Sequence, residues 1–288
     1  MKRDLLVGVA QWLATPGETD LNMLVALDMV SQASALGVEL LVLPELWACG
    51  YDPVTLPRDA RRAAQTADGP RRARLAQAAQ RAGLWLAAGS VPELDEHDQL
   101  FNTALVFNPA GDLVAAHRKA HLYPPTGEPA VFAAGDCLTT FDDPALGVVG
   151  VVICFDGDFP EVARTLAMRG ARLVLAPSAY EIEGETAWDV LYPALALANS
   201  QWWVQANQCG SHPTSALLGA SRIVAPTGTV VVEAARTVPG RTPPPEVITH
   251  RIDLDLARQT EGIAALLEAE RRPQLYFNQD LNQAAHAG

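Results

Sequence analysis

The chain has 288 residues, 49% of them hydrophobic, with a formal net charge of -12 at pH 7 and a pI near 4.9. That length and apolar content suffice for one large core, so a single domain is expected over 1–288, with a core of approximately 4–277 and a small polar tail at 278–288. The acidic balance excludes a nucleic-acid or anionic-membrane surface, either of which needs clustered Lys and Arg to displace counterions.

The opening MKRDLLVGVAQW joins basic residues to an apolar run, but Asp4 interrupts it and LLVGVA has the length of a buried strand rather than of a secretion signal. No stretch approaches the roughly 20 apolar residues that span a bilayer. A cytoplasmic location is therefore expected, with the four cysteines as thiols. Next come a helix over LNMLVALDMVSQASALG that closes on Gly37, and the strand ELLVLPE, which ends at Glu45. A second helix, RRARLAQAAQRAG, closes on Gly83, and its Arg71, Arg72 and Arg74, with Arg61 and Arg62 before it, read as solvated helix faces. The strand LWLAAGSV leads to a hairpin, ALVFNPAGDLVAAHR, that turns at Pro109 and Gly111. Beyond it the strand VVGVVICF reaches Cys154, and the helix EVARTLAMRGA closes on Gly170. The strand ARLVLAPSA, the helix YPALALANSQ, the strand WWVQANQ, a second hairpin SRIVAPTGTVVVEAA, the exposed Pro-rich loop RTVPGRTPPPEV and the strand VITHRIDL complete the series. Strands that are continuously apolar are buried on both faces, and their alternation with helices predicts an α/β fold; the two hairpins make its sheets mixed.

Chemistry concentrates where VVGVVICFDGDFPEVAR ends a strand at Cys154 and opens a helix at Pro160 and Glu161. An arbitrary cysteine is more often a small buried hydrophobe than a nucleophile. Nearby helix-terminal N–H groups would favour the thiolate. Two upstream segments add to it: LVLPELWACGYD, and AAHRKAHLYPPTGEPAVFAAGD. In this order the three resemble the nitrilase superfamily of carbon–nitrogen hydrolases, and GASRIVAPTG and RRPQLY extend the likeness over nearly the whole chain. The resemblance implies a four-layer α-β-β-α sandwich that dimerises through helices near the nucleophile or assembles further, and needs no metal and no cofactor. It also assigns Cys154 as nucleophile, Glu45 as proton carrier, Lys119 with the Phe155 N–H as oxyanion site, and Glu128 as the residue that orients Lys119 or the leaving group. Acyl transfer from an amide needs such a set: an activated nucleophile, a proton carrier and a stabiliser of developing negative charge.

Within the family, CFDGDFPE is closest to the CYDxEFPE form of the amidases and lacks the CWE of true nitrilases, so a small amide is the expected substrate. Nitrile or N-carbamoyl amino acid hydrolysis is the alternative, and a catalytically silent binding or regulatory protein is the alternative of a different class. Phe155, Tyr51, Tyr180 and Trp188, with Trp47, are candidate walls of the substrate pocket; Asp156 and Asp158 are candidates to attract a substrate ammonium. Cys49, Cys137 and Cys209 show no metal-binding spacing and read as packing residues. No local signature turns His117, His121, His212 or His250 into the partner of a Cys-His protease, and His121 is expected to hydrogen-bond structurally. No phosphate-binding glycine loop occurs. One departure from the family pattern is ALALANS, which has Leu195 and Ala198 where Arg and Glu are usual.

Overall fold

Helix limits follow from local chemistry in the computed structural model, which describes residues 4–238, 240–258, 266–267 and 269–276. Helix α1 (Thr19–Ala35) stops just before Gly37, α3 (Pro70–Ala82) begins on a proline and stops at Gly83, and α5 (Pro160–Met168) begins on a proline and stops before Gly170. All three glycines have positive φ, which only a residue without Cβ adopts freely. The expected tail at 278–288 lies outside the described residues.

The first half of the chain also contains β1 (Asp4–Gln11), β2 (Leu40–Val42), α2 (Leu56–Ala63), the short β3 (Gln65–Thr66), β4 (Trp85–Leu94) and the hairpin β5 (Leu100–Phe107) with β6 (Leu113–Arg118). The second half adds α4 (Glu128–Val131), β7 (Thr139–Asp143), β8 (Gly147–Val151), β9 (Leu173–Ser178), α6 (Glu185–Asn199) and β10 (Trp202–Asn207). Then follow the pair β11 (Cys209–Ser211) and β12 (Ala216–Leu218), the hairpin β13 (Arg222–Val224) with β14 (Val230–Glu233), and finally β15 (Glu246–Asp253).

These strands form two six-membered ladders, β15-β1-β2-β4-β5-β6, with β3 also on β4, and β14-β13-β10-β9-β8-β7. In each the centre is parallel, β1-β2-β4 and β8-β9-β10, and the flanks are antiparallel. The mixed α/β sandwich expected from the sequence is present. Val7 and Val9 of β1, Leu40 and Val42 of β2, and Val149, Val151, Leu173 and Leu175 of β8 and β9 share one core between the sheets. Leu41 and Leu86, on the opposite face of the first sheet, pack instead with Met23, Met29 and Val30 of α1 and Leu75 of α3. Helices α5 and α6 cover the other sheet with Val162, Leu166, Trp188, Tyr192 and Leu195. Each such aliphatic side chain removed from water contributes about 1.5–3 kcal/mol.

Two details differ from the sequence reading. Arg71 is not a solvated side chain: it is 5% exposed and donates to the Ala63 carbonyl at the end of α2, while Arg72 pairs with Glu93 at 2.7 Å. Helix α6 begins at Glu185 rather than near Tyr192 and carries Pro193 in its interior. A proline there removes one helical hydrogen bond, and the tertiary packing of Trp188 and Tyr192 holds the helix together across it.

Candidate active site

The three residues expected to carry the chemistry stand just beyond the ends of strands from both sheets: Glu45 after β2, Lys119 after β6 and Cys154 after β8. The seam of the sandwich therefore builds the site. Glu45 is held by backbone contacts to the opposite sheet, its N–H donating to Ser178 O at 3.2 Å and its carbonyl accepting from Gln208 Nε2 at 2.8 Å. Close approach of β4 to this loop demands glycine at position 89, where a Cβ would lie 2.0 Å from Pro44 O. The Lys119 N–H donates to Asn102 O and its carbonyl accepts from Gly135. Cys154 has φ 45°, a left-handed conformation unusual for a residue with a side chain and one that turns the chain sharply at the nucleophile.

Glu45, Lys119 and Glu128 are all fully buried. Lys119 Nζ donates to Glu45 Oε1 at 2.9 Å and to Glu128 Oε1 at 2.8 Å. Burial alone would discharge the ammonium, but the two carboxylates outweigh it and hold its pKa well above the ordinary value. Glu45 goes the other way: burial raises its carboxyl pKa against the pull of Lys119, and Glu128 adds to the rise. Glu45 Oε1 also accepts from Asn102 Nδ2 at 2.8 Å, whereas Oε2 has no hydrogen-bond partner among the described residues. Glu128 is fixed by Tyr51, whose hydroxyl donates at 2.7 Å, and by the Tyr123 N–H at 2.8 Å.

Cys154 is 7% exposed, and burial followed by the Glu45 charge pushes its thiol well above the usual value, with Lys119 and the Ala179 N–H opposing. The expectation of a resting thiolate is corrected: the adjacent helical turn is only the five residues Cys154–Asp158, and desolvation dominates. The direction of that shift favours the thiol over the thiolate.

The expected pocket residues separate into two groups. Phe155 and Tyr180 line the cavity at Cys154, together with Tyr123, Asp158 and Glu181. Tyr51, Asp156 and Trp188 are buried and stand outside its lining. Tyr51 stands behind Glu128, and the Trp188 indole donates to Ala220 O beneath α6. Asp156 is fully buried with both oxygens occupied: it accepts from the N–H groups of Ile153, Ala120 and His121 and meets His117 Nε2 and His121 Nδ1, both at 2.9 Å. Burial opposes its ionisation, but the hydrogen bonds from His117 and His121 hold the carboxyl far below its usual range. His121 thus has the structural role expected of it. Three contributors escaped the sequence reading: Asn102, Tyr123 and Tyr192, whose hydroxyl donates to Cys154 O at 3.1 Å and to Asp158 Oδ1 at 2.8 Å. Asn102 alone left a signal, as a polar residue inside the apolar run LFNTALVF.

The family model described as carbon–nitrogen hydrolase matches residues 6–261. The chain belongs to the carbon–nitrogen hydrolase family. This carbon–nitrogen hydrolase is 31% identical over 287 residues to the deaminated glutathione amidase of Bos taurus, covering 95% of this chain and 84% of that one. It is also 31% identical over 280 residues to an omega-amidase of Xenopus laevis, covering 94% and 96%. Among solved structures it resembles the amidase from Nesterenkonia sp. AN1 at 27% identity. A cysteine-to-alanine mutant of that amidase in complex with butyramide superposes with TM-score 0.78, covering 94% of this chain and 95% of that one. Another mutant of the same amidase, TM-score 0.79 with the same coverage, has the acetamide moiety of fluoroacetamide attached at the active-site cysteine. The nitrilase-superfamily membership and the α/β sandwich expected from the motifs are thereby shown. No helix among the described residues is long and apolar enough to cross a membrane.

Proposed function

We propose that this carbon–nitrogen hydrolase is an amidase that converts small linear amides to a carboxylic acid and ammonia through a thioester on Cys154. One observation carries the reading: the buried Cys154 thiol lines a small cavity and feels the charges of Glu45 and Lys119, which are themselves buried and in contact at 2.9 Å. Glu45 takes the Cys154 proton, and the sulfur bonds to the amide carbonyl carbon. Lys119 and the Phe155 N–H hold the oxyanion. Collapse breaks the C–N bond, and the proton on Glu45 passes to the departing nitrogen, which leaves as ammonia. Glu45 then takes a proton from water, hydroxide adds to the thioester, the C–S bond breaks and the proton returns to sulfur. Glu128, held by Tyr51, keeps Lys119 in place throughout.

Size supports a small acyl group. The cavity holds about 50 Å³, room for roughly four waters at about 10–15 Å³ each. Butyramide, bound in the Nesterenkonia amidase mutant, is likewise a small linear amide. The same proposal places the protein in the cytoplasm as a homodimer or higher homo-oligomer. Ammonia release from acetamide, butyramide, butyronitrile and an N-carbamoyl amino acid tests the reaction. Amide turnover that disappears in Cys154→Ala is expected; turnover of the nitrile or carbamoyl compound alone, or activity that survives loss of the thiol, would overturn it.

A further inference from the structure

The cavity at Cys154 combines aromatic walls with acidic groups and, among the described residues, has no Lys or Arg in its lining. Tyr123, Phe155 and Tyr180 present rings, with Tyr123 edge-on to Phe155 at 5.1 Å between centroids, and Asp158 and Glu181 present carboxylates. Asp158 is held in place from behind. Tyr180 donates to its Oδ2 and Tyr192 to its Oδ1, each at 2.8 Å; burial raises the carboxyl pKa, and these two hydrogen bonds and the Lys119 charge offset only part of that rise. The one ammonium nearby, that of Lys119, is already in contact with the carboxylates of Glu45 and Glu128. Burial first, then Glu181, Cys154, Asp158 and Glu183, raise the pKa of the Tyr123 hydroxyl. The cavity is therefore lined by two carboxyl groups and π faces, a combination that suits an ammonium better than a carboxylate.

We propose that Asp158, with Glu181 at the rim, makes this site selective for short amides whose acyl chain carries a protonated amine, and that it rejects amides carrying a carboxylate. The proposal deepens the amidase reading and rests on it. Specificity arises from both the attraction of the cation and the exclusion of the anion. An acyl chain of two to four carbons ending in an amine suits the small cavity, with the scissile amide at Cys154 and the ammonium between Asp158 and the rings.

Three amides with the same four-carbon skeleton decide it: 4-aminobutyramide (cationic), butyramide (neutral) and succinamate (anionic), with kcat/KM measured at low and high ionic strength. We expect the cation to exceed the neutral amide by about tenfold and the anion by about 100-fold, with both ratios shrinking as salt rises. Asp158→Asn should bring the cation-to-neutral ratio towards one, and Asp158→Glu should restore it. Butyramide turnover with no preference for the cation, or with a preference for succinamate, would overturn the charge selectivity and leave the amidase reading standing. A folded protein that turns over no amide overturns the amidase reading, and alkylation of Cys154 then reads the cavity directly. Relative to a free thiol, iodoacetate should react about tenfold more slowly than iodoacetamide, with the difference relieved in Asp158→Asn; equal relative rates would overturn the acidic cavity itself.

Discussion

At Glu45 the two oxygens of one carboxylate have different employment. Oε1 is taken by Lys119 and Asn102, and Oε2 has no partner among the described residues, which leaves Oε2 as the oxygen available for the proposed proton transfer. Glu45→Gln keeps an acceptor for Lys119 but abolishes the base, so kcat should fall by about 10²–10⁴-fold, measured as ammonia release at saturating amide. Asn102 tests the tuning. Its amide favours the charged form of a carboxyl that burial pushes up, so Asn102→Ala raises the Glu45 pKa further. Catalysis needs the deprotonated base, hence activity is lost as pH falls through that pKa, and the acid limb of kcat/KM should move to higher pH in Asn102→Ala. An unmoved limb would remove Glu45 from the role. Glu45 and Cys154 were legible as candidates because each stands just past a wholly apolar strand, and Lys119 because the segment around it resembles the family motif. Tyr51, Asp156 and Trp188 were not, because the direction of a side chain from a loop or helix is set by partners distant in sequence, such as Glu128, the β6 loop and Ala220.

Between elements, Asp156 is the clasp. It joins the loop after β8, which carries Cys154, to the loop after β6, which carries Lys119, by accepting three backbone N–H groups and two imidazoles. Asn at this position would turn an NH₂ towards N–H donors, so Asp156→Asn should cost about 3–5 kcal/mol, read from the urea midpoint at unchanged slope. Because the folded pKa lies below the unfolded one, the stabilisation is fully present above the ordinary carboxylate value and fades as pH falls through the folded value. The variant should therefore show a flatter loss of stability in acid than the native chain. An equal acid slope would assign that loss to other carboxylates. Helix ends and both hairpins were readable from glycine and proline, whose backbone preferences are local. The start of α6 was not, since Pro193 suggests a boundary that the packing of Trp188 overrides.

Assembly concerns the whole molecule. Helices α5 and α6 bury one side against the second sheet, yet leave Met168, Val190 and Leu197 at 50%, 64% and 49% exposure. Leu195 and Ala198, where the family usually has Arg and Glu, line a groove of about 640 Å³ with Pro160, Arg164 and Tyr276. An apolar face of this kind suits the proposed partner, a second copy of the chain. Sedimentation of the native protein should give at least twice the 30.7 kDa chain mass, whereas Met168→Glu with Leu197→Glu should give the monomer. Two chains of net charge -12 repel each other, so added salt should tighten the assembly. A native monomer at all salt concentrations would exclude it. Activity is tied to the same face. Tyr192 lies on α6 and holds both the Cys154 carbonyl and Asp158, and α5 starts two residues after Asp158. Helices released from a partner would let these contacts loosen, so the dissociated variant should lose kcat/KM for amides while retaining its helical circular dichroism. Full activity in a monomer would mean that each chain holds its own cavity in shape.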